Sequence, residues 1–243
     1  MFCLESKRIW ARGPWLQSGM TLLEVMIGLV IGLLAMASAV QTLNALQMAQ
    51  AESSQRLSLQ ADARNTLNNI AREIHMADSA VWAGRETLDL TSPSAPAITI
   101  AQAHGQATLS ARYATPQSAT HVGCLWRATA GLGPQVISTY TVRDSTLRCS
   151  VNTGTAQPLM DRVAEFSLAF AVQDANGLRW HSGTTTGVQQ VRGVALCLHV
   201  FSAPVPSAAL TADSGCDHQP IAADGRLHWV ERRVISLQSG WTL

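Results

Sequence analysis

Lysine is almost missing from this chain of 243 residues: it occurs once, at Lys7, and every later basic residue is arginine. Charged residues amount to only 14% and the formal net charge is +1, so no global basic field recruits nucleic acid. Cys-x-x-Cys pairs are missing too, which leaves zinc ribbons and thioredoxin-type redox motifs without support. The chain has no G-x-S-x-G elbow, no P-loop, no S-x-x-K and no H-E-x-x-H. Gly131-Leu132-Gly133-Pro134 lacks the strand-to-helix context of a dinucleotide site and reads as a turn. The seven histidines are scattered without ligand spacing. Asp213, Asp217 and His218 cluster in one loop, but with no EF-hand spacing they read as solvated side chains rather than a metal site. Neither an enzyme nor a cofactor or metal is therefore expected. Aromatic residues are scarce at 5%, yet seven of them are tryptophan. Trp82, Trp126, Trp180, Trp229 and Trp241 read as core anchors, or as subunit contacts wherever they are exposed.

Against these absences stands one long apolar run. From Leu22 to Val40 nearly every residue is Leu, Ile, Val, Met, Ala or Gly, and Glu24 is the one charge. As a helix rising ~1.5 Å per residue, the run is about long enough to cross a ~30 Å hydrocarbon core. A carboxylate in such a helix costs roughly 2.5–3.5 kcal/mol at the membrane centre and asks for a reason. Lys7, Arg8 and Arg12 precede the run, opposed only by Glu5, which keeps that end cytoplasmic and sends the rest across the membrane. Residues 1–19 read as a leader; unlike a secretory signal, its apolar stretch follows the candidate cut and would be retained. Gly28 and Gly32 make a G-x-x-x-G spacing, a weak helix-association signal.

Helical character continues beyond the membrane. From Gln41 to Met76 there is no Pro or Gly, and Ala, Leu, Gln and Arg dominate. Leu67, Ile70 and Ile74, with Leu57 and Ala63 before them, form an apolar stripe, while Arg56, Asp62, Arg64, Arg72 and Glu73 are assigned mostly to other faces. One helix is expected over 20–78, with about 22–42 spanning the membrane, and its second half needs something to pack on.

Residues 79–243 read as an exported β-rich domain. Short Thr- and Val-rich segments punctuated by Pro, Gly and Asn mark candidate strands at 97–101, 108–114 and 121–128. Segments 136–143 and 146–151 flank Asp144-Ser145, a hairpin signal. Phe166, Leu168, Phe170 and Val172 alternate, so that strand has one buried face. A turn at Asp174-Ala175-Asn176-Gly177 leads into 178–181. Val194, Leu196, Leu198 and Val200 share a face of the strand 191–201, with Cys197 on the other. Residues 202–228, containing Pro204, Pro206 and Pro220, read as a long irregular loop, and 229–237 as a closing strand. Arg232-Arg233 read as a device against edge-to-edge aggregation. The fold class is α+β: a long N-terminal helix packed on an antiparallel β-sheet domain.

Cys3 lies in the leader. Cys124, Cys149, Cys197 and Cys216 lie in the exported part, where two disulfides are expected; three connectivities exist, and Cys124–Cys149 with Cys197–Cys216 is favoured because each closes a local loop.

Gly19-Met20-Thr21-Leu22-Leu23-Glu24-Val25-Met26-Ile27-Gly28-Leu29-Val30-Ile31-Gly32 resembles the type III signal sequence of type IV pilins and pseudopilins. The resemblance implies a long pilin helix on a β-sheet domain, cutting after Gly19 by prepilin peptidase, and N-methylation of Met20. It also implies passage from the bacterial inner membrane, domain in the periplasm, into a pilus-like filament. Met20, where phenylalanine is commoner, and the Gly13-Pro14-Trp15-Leu16-Gln17-Ser18 spacer depart from the usual pattern. After such a cut Glu24 lies one helical turn from the new amino terminus, placed for pairing with a neighbouring subunit's amine. The body more loosely resembles PilW-type minor pilins, through Arg72-Glu73-Ile74-His75-Met76-Ala77, Gly123-Cys124-Leu125, Leu147-Arg148-Cys149, 157–166 and 191–198. Such subunits are implied to prime pilus assembly at or near the filament tip. Their partners are prepilin peptidase, other major and minor pilins, and the inner-membrane assembly platform. The alternatives are a type II secretion minor pseudopilin of the J type, or a tip module that contacts surfaces or DNA through the 202–228 loop, nucleic acid being the less favoured ligand.

Overall fold

The computed structural model describes residues 21–82, 98–103, 106–114, 123–125, 135–184, 190–205 and 214–242. Two compact units, Met1–Gln50 and Ala51–Leu243, divide the chain, and the division falls inside a long helix. That helix, α1, is Leu22–Trp82. It is uninterrupted because no glycine or proline occurs between Gly32 and Gly84.

Among the described residues nine strands follow: β1 Ile98–Ala103, β2 Gln106–Ala114, β3 Gln135–Arg143, β4 Thr146–Val151, β5 Gln157–Asp161, β6 Val163–Asp174, β7 Gly177–Ser182, β8 Gln190–Pro204 and β9 Arg226–Thr242. They form two sheets, β1-β2-β3-β4-β5 and β7-β6-β8-β9, in which every pairing is antiparallel. The β3–β4 turn is Asp144-Ser145, both with positive φ (52° and 54°), the backbone of a tight hairpin whose twist matches its strands.

The core lies between the second half of α1 and the inner faces of both sheets. Ala63, Leu67, Ile70, Ile74 and Ala77 are buried at helical spacing. Facing them are Leu109, Tyr113, Tyr140 and Leu147 of the first sheet and Phe166, Phe170, Leu196 and Leu198 of the second. Each large side chain removed from water contributes about 1.5–3 kcal/mol. Polar ties flank the apolar stripe on both sides. Thr66 Oγ1 donates to Met160 Sδ of β5 (3.6 Å), Arg64 pairs with Glu231 of β9 (3.5 Å), and Arg233 Nη1 donates to Asn68 Oδ1.

Several local expectations need correction. Leu57 is exposed, so the stripe starts with a half-buried Leu59 and is fully buried from Ala63, and Glu73, assigned to an outer face, is 1% exposed. The described part of 121–128 is a turn at 123–125 rather than a strand. Gly123 has φ +77°, and a Cβ there would stand 2.8 Å from Val151 Cγ2, so only glycine lets this turn lie against β4. The 202–228 segment is less irregular than proline content implied: β8 runs on through Pro204 and β9 begins at Arg226. Strand β5 carries Pro158 at the sheet edge, where no ladder donor is needed, which hides it from a propensity reading.

Candidate functional site

The N-terminus of α1 is built from four residues, Thr21-Leu22-Leu23-Glu24. Thr21 is the N-cap: its Oγ1 accepts from the Glu24 N–H (3.3 Å), and its carbonyl accepts from Glu24 N (3.0 Å) and Val25 N (3.3 Å). This is half of a Thr-x-x-Glu capping box, and such a cap contributes about 1 kcal/mol. The pattern is readable in the sequence, and it gives Glu24 a local role, at N3, in addition to any partner it meets. The carboxylate also sits where the helix dipole is positive.

Beyond the cap, the first half of α1 is dominated by apolar residues on every face. Leu22 is 80% exposed, and Leu29, Leu33, Leu34, Leu43 and Leu46 are likewise exposed. The most apolar window of this helix has a mean hydropathy of 2.3, and it is long and apolar enough to cross a membrane. Between Thr21 and Ala51, Glu24 is the only ionisable residue. Cβ atoms at Gly28 and Gly32 would meet nothing within 4 Å. A helix segment this apolar on every face favours an apolar environment along its length.

A second polar cluster is buried under α1. Tyr113 Oη donates to Glu73 Oε1 (3.2 Å) and accepts from Gly123 N–H (2.9 Å), while Ser138 Oγ accepts from Cys124 N–H (3.3 Å). Among the described residues, Glu73 Oε2 and Tyr140 Oη meet no partner at hydrogen-bond geometry. Burial pushes the Glu73 carboxyl above its ordinary range, and the Ser138, Tyr113 and Tyr140 hydroxyls and the Arg72 charge offset this only partly. The carboxyl thus holds its proton more tightly than a solvated one and serves as a helix-to-sheet tether. Burial and the Glu73 charge likewise push Tyr113 and Tyr140 upward.

A third cluster ties the 214–225 segment to the second sheet. Cys216 is bonded to Cys197, Glu165 Oε2 accepts from Cys216 N–H (3.1 Å), and Arg232 Nη2 donates to Gly215 O (2.6 Å). His199 Nε2 and His228 Nδ1 share a hydrogen bond (2.9 Å), and His228 Nε2 meets Asp224 Oδ1 (2.9 Å). Burial and the neighbouring His228 lower His199 to about 4, which disfavours a charge on the His199 ring. Asp217 Oδ1 accepts from Gln219 N–H, closing a turn.

Of the residues singled out from the sequence, Gly19 and Met20, with the rest of the leader, lie outside the described residues, as do Trp126, Gly131 to Pro134 and Asp213. Glu24 stands at the helix start. Cys124 is bonded to Cys149 (Cα–Cα 6.3 Å) and Cys197 to Cys216 (5.7 Å). Arg232 and Arg233 point to opposite faces of β9, one to the loop and one to α1, so both are tethers. Trp229 is partly buried with Nε1 donating to Glu231 Oε2 (3.0 Å), whereas Trp180 is half exposed on the second sheet.

No protein family profile matches the chain, and no curated protein matches its sequence. Its structure is similar to that of a type IV-like pilin from Thermus thermophilus, with a TM-score of 0.54 at 12% sequence identity, over 75% of this chain and 98% of that one. The chain thus has a pilin-like α+β fold, a long N-terminal helix with antiparallel sheets.

Proposed function

We propose that this chain is a minor pilin, a non-catalytic assembly-priming subunit incorporated at or near the tip of a type IV pilus. The observation that carries the reading is the exposed apolar helix from Leu22 onward with a lone carboxylate, Glu24, in its capped first turn, continuing into a folded β domain. On this reading prepilin peptidase cuts after Gly19 and the new Met20 is N-methylated. The chain waits as a single-pass inner-membrane protein with its domain in the periplasm. It then enters the filament as its apolar helix exchanges lipid for the helices of other pilins. Glu24 offsets the charge of a neighbour's amino terminus, which neither group could carry alone in an apolar surrounding at small energetic cost.

The test is expression with prepilin peptidase, followed by intact mass and N-terminal sequencing. The expected product begins at Met20 and carries one added methyl group; a chain still beginning at Met1 refutes the processing. Glu24→Ala is expected to be processed yet absent from sheared filaments, and normal incorporation of that variant refutes the pairing.

A further inference from the structure

The solvent side of the β7-β6-β8-β9 sheet is built unlike its core side. Its central strands carry small residues there, Ser167, Ala169 and Ala171 on β6 and Gly193 and Ala195 on β8, while the flanking strands carry larger ones. Trp180 lies beside Ala171 and Gly193, and the next row along the strands reads Ser182, Ala169, Ala195, Val234. The result is a trough. Its deeper part encloses about 370 Å³, is bordered by Gln102, Ser182 and Arg232, and is closed at one end by residues 216–218.

Two features distinguish this trough from an ordinary sheet face. The first is the posture of Trp180. Ala171 beneath it is fully buried, and a Cβ at Gly193 would stand 3.4 Å from Trp180 Cη2, so the indole lies across two strands with the ring against the sheet. The residue nevertheless stays 47% exposed, which leaves the other ring face free. The second is the end wall. It is held in place by the Cys197–Cys216 bond, the Glu165 contact to Cys216 N–H and the Arg232 contact to Gly215 O. It brings Glu165 and Asp217 near each other, close enough for the Asp217 charge to raise Glu165 alongside burial.

A flat ring, an apolar floor of alanines, and walls with both donors (Arg232, Gln102, Ser182) and acceptors (Glu165, Asp217) match one chemistry. A pyranose presents C–H groups on one face and hydroxyls around its rim, and so uses stacking and hydrogen bonding together. An apolar peptide would make no use of the Arg232, Glu165 and Asp217 side chains along the walls. An anionic ligand would meet the Glu165 and Asp217 carboxylates, while of the two arginines at the trough Arg233 is already engaged with Asn68 of α1. We propose that this trough binds a short uncharged oligosaccharide, one pyranose stacked on Trp180 and the next residues extending toward 216–218. From the Trp180 row to the Glu165 row is three pairs of residues, about 20 Å, enough for a di- to tetrasaccharide. The assignment goes beyond the assembly role and stands independently of it.

Saturation-transfer NMR on the full chain in phosphocholine micelles, which lack sugar headgroups, tests it with cellobiose, N,N′-diacetylchitobiose and maltose, and with 3′-sialyllactose as the charged counterpart. At least one neutral disaccharide is expected to take up saturation at its ring C–H protons, and sialyllactose is not. Trp180→Ala should reduce the signal about five-fold or more, and Trp180→Phe should retain much of it. Ala195→Leu, which fills the floor without touching the ring, should also abolish transfer, so the proposal stays testable if Trp180→Ala does not fold. It is overturned if no neutral sugar takes up saturation, or if folded Trp180→Ala or Ala195→Leu binds as the parent does. It is also overturned if the face proves to hold a second copy, seen as self-association abolished by Trp180→Ala.

Discussion

Removing one oxygen atom tests the polar tether under α1. Tyr113→Phe keeps the ring in its buried site and deletes only the hydroxyl, which receives Gly123 N–H at 2.9 Å and donates to Glu73 Oε1 at 3.2 Å. Both partners are buried, so neither regains water when the hydroxyl goes. A buried polar group deprived of its partner costs about 1–3 kcal/mol, hence about 2–6 kcal/mol for the two. Ring packing is unchanged and contributes little to the difference. Against a typical domain stability of about 5–15 kcal/mol this is a large fraction. With a urea dependence of roughly 2 kcal/mol per molar, the unfolding midpoint should fall by about 1–3 M. The assay is urea unfolding of the detergent-solubilised chain, followed by circular dichroism of the β domain. Glu73→Leu in the same series separates the two halves of the interaction: with the carboxyl gone, Tyr113→Phe should cost only the Gly123 share. A Tyr113→Phe variant within about 0.5 kcal/mol of the parent would refute the reasoning, because it would mean that water already reaches the cluster.

Glu73 and the β3–β4 turn give two more tests. Burial raises the Glu73 carboxyl, so the folded state holds its proton more tightly than the unfolded chain. Its contribution is full below the ordinary value of 4.5 and is lost as pH rises through the folded value. Glu73→Gln should remove that part of the pH dependence while keeping the acceptor for Tyr113. Parallel unfolding midpoints for parent and variant between about pH 4 and 9 would exclude the assignment. At the β3–β4 turn, Ser145 has φ 54°, and Ser145→Gly relieves a left-handed backbone at some entropic cost. A net gain of about 0.5–1 kcal/mol is expected in thermal unfolding, and a loss would show that the serine side chain stabilises the turn.

Local pattern made some elements readable and concealed others. The apolar run and the lone Glu24 need no partner to be recognised, because a helix apolar on every face is a property of consecutive residues. The alternation in β6 and β8 was equally plain, since each strand has one buried face. Residue 73 lies three positions after Ile70 and four before Ala77, so helical spacing already placed it on the buried stripe. A glutamate there nevertheless reads as outward, because it is rarely buried unless paired, and its partner Tyr113 lies forty residues further on. The same limit hid the trough. Trp180 pairs across the sheet with Ala171, but nothing in either segment places Gly193 on the far side, where its missing Cβ leaves room for the ring.

The sequence by itself therefore determined the long helix, its apolar half with Glu24, its continuation toward an apolar stripe, and a β-rich remainder, all consequences of period and of residues adjacent in the chain. Only the tertiary structure decided that Glu73 is buried, how Arg232 and Arg233 divide between loop and helix, and that Trp180 is half exposed. These depend on the pairing of strands far apart in sequence. A side chain's surroundings across a sheet are set by register, and register is fixed only when the whole inner face is buried at once.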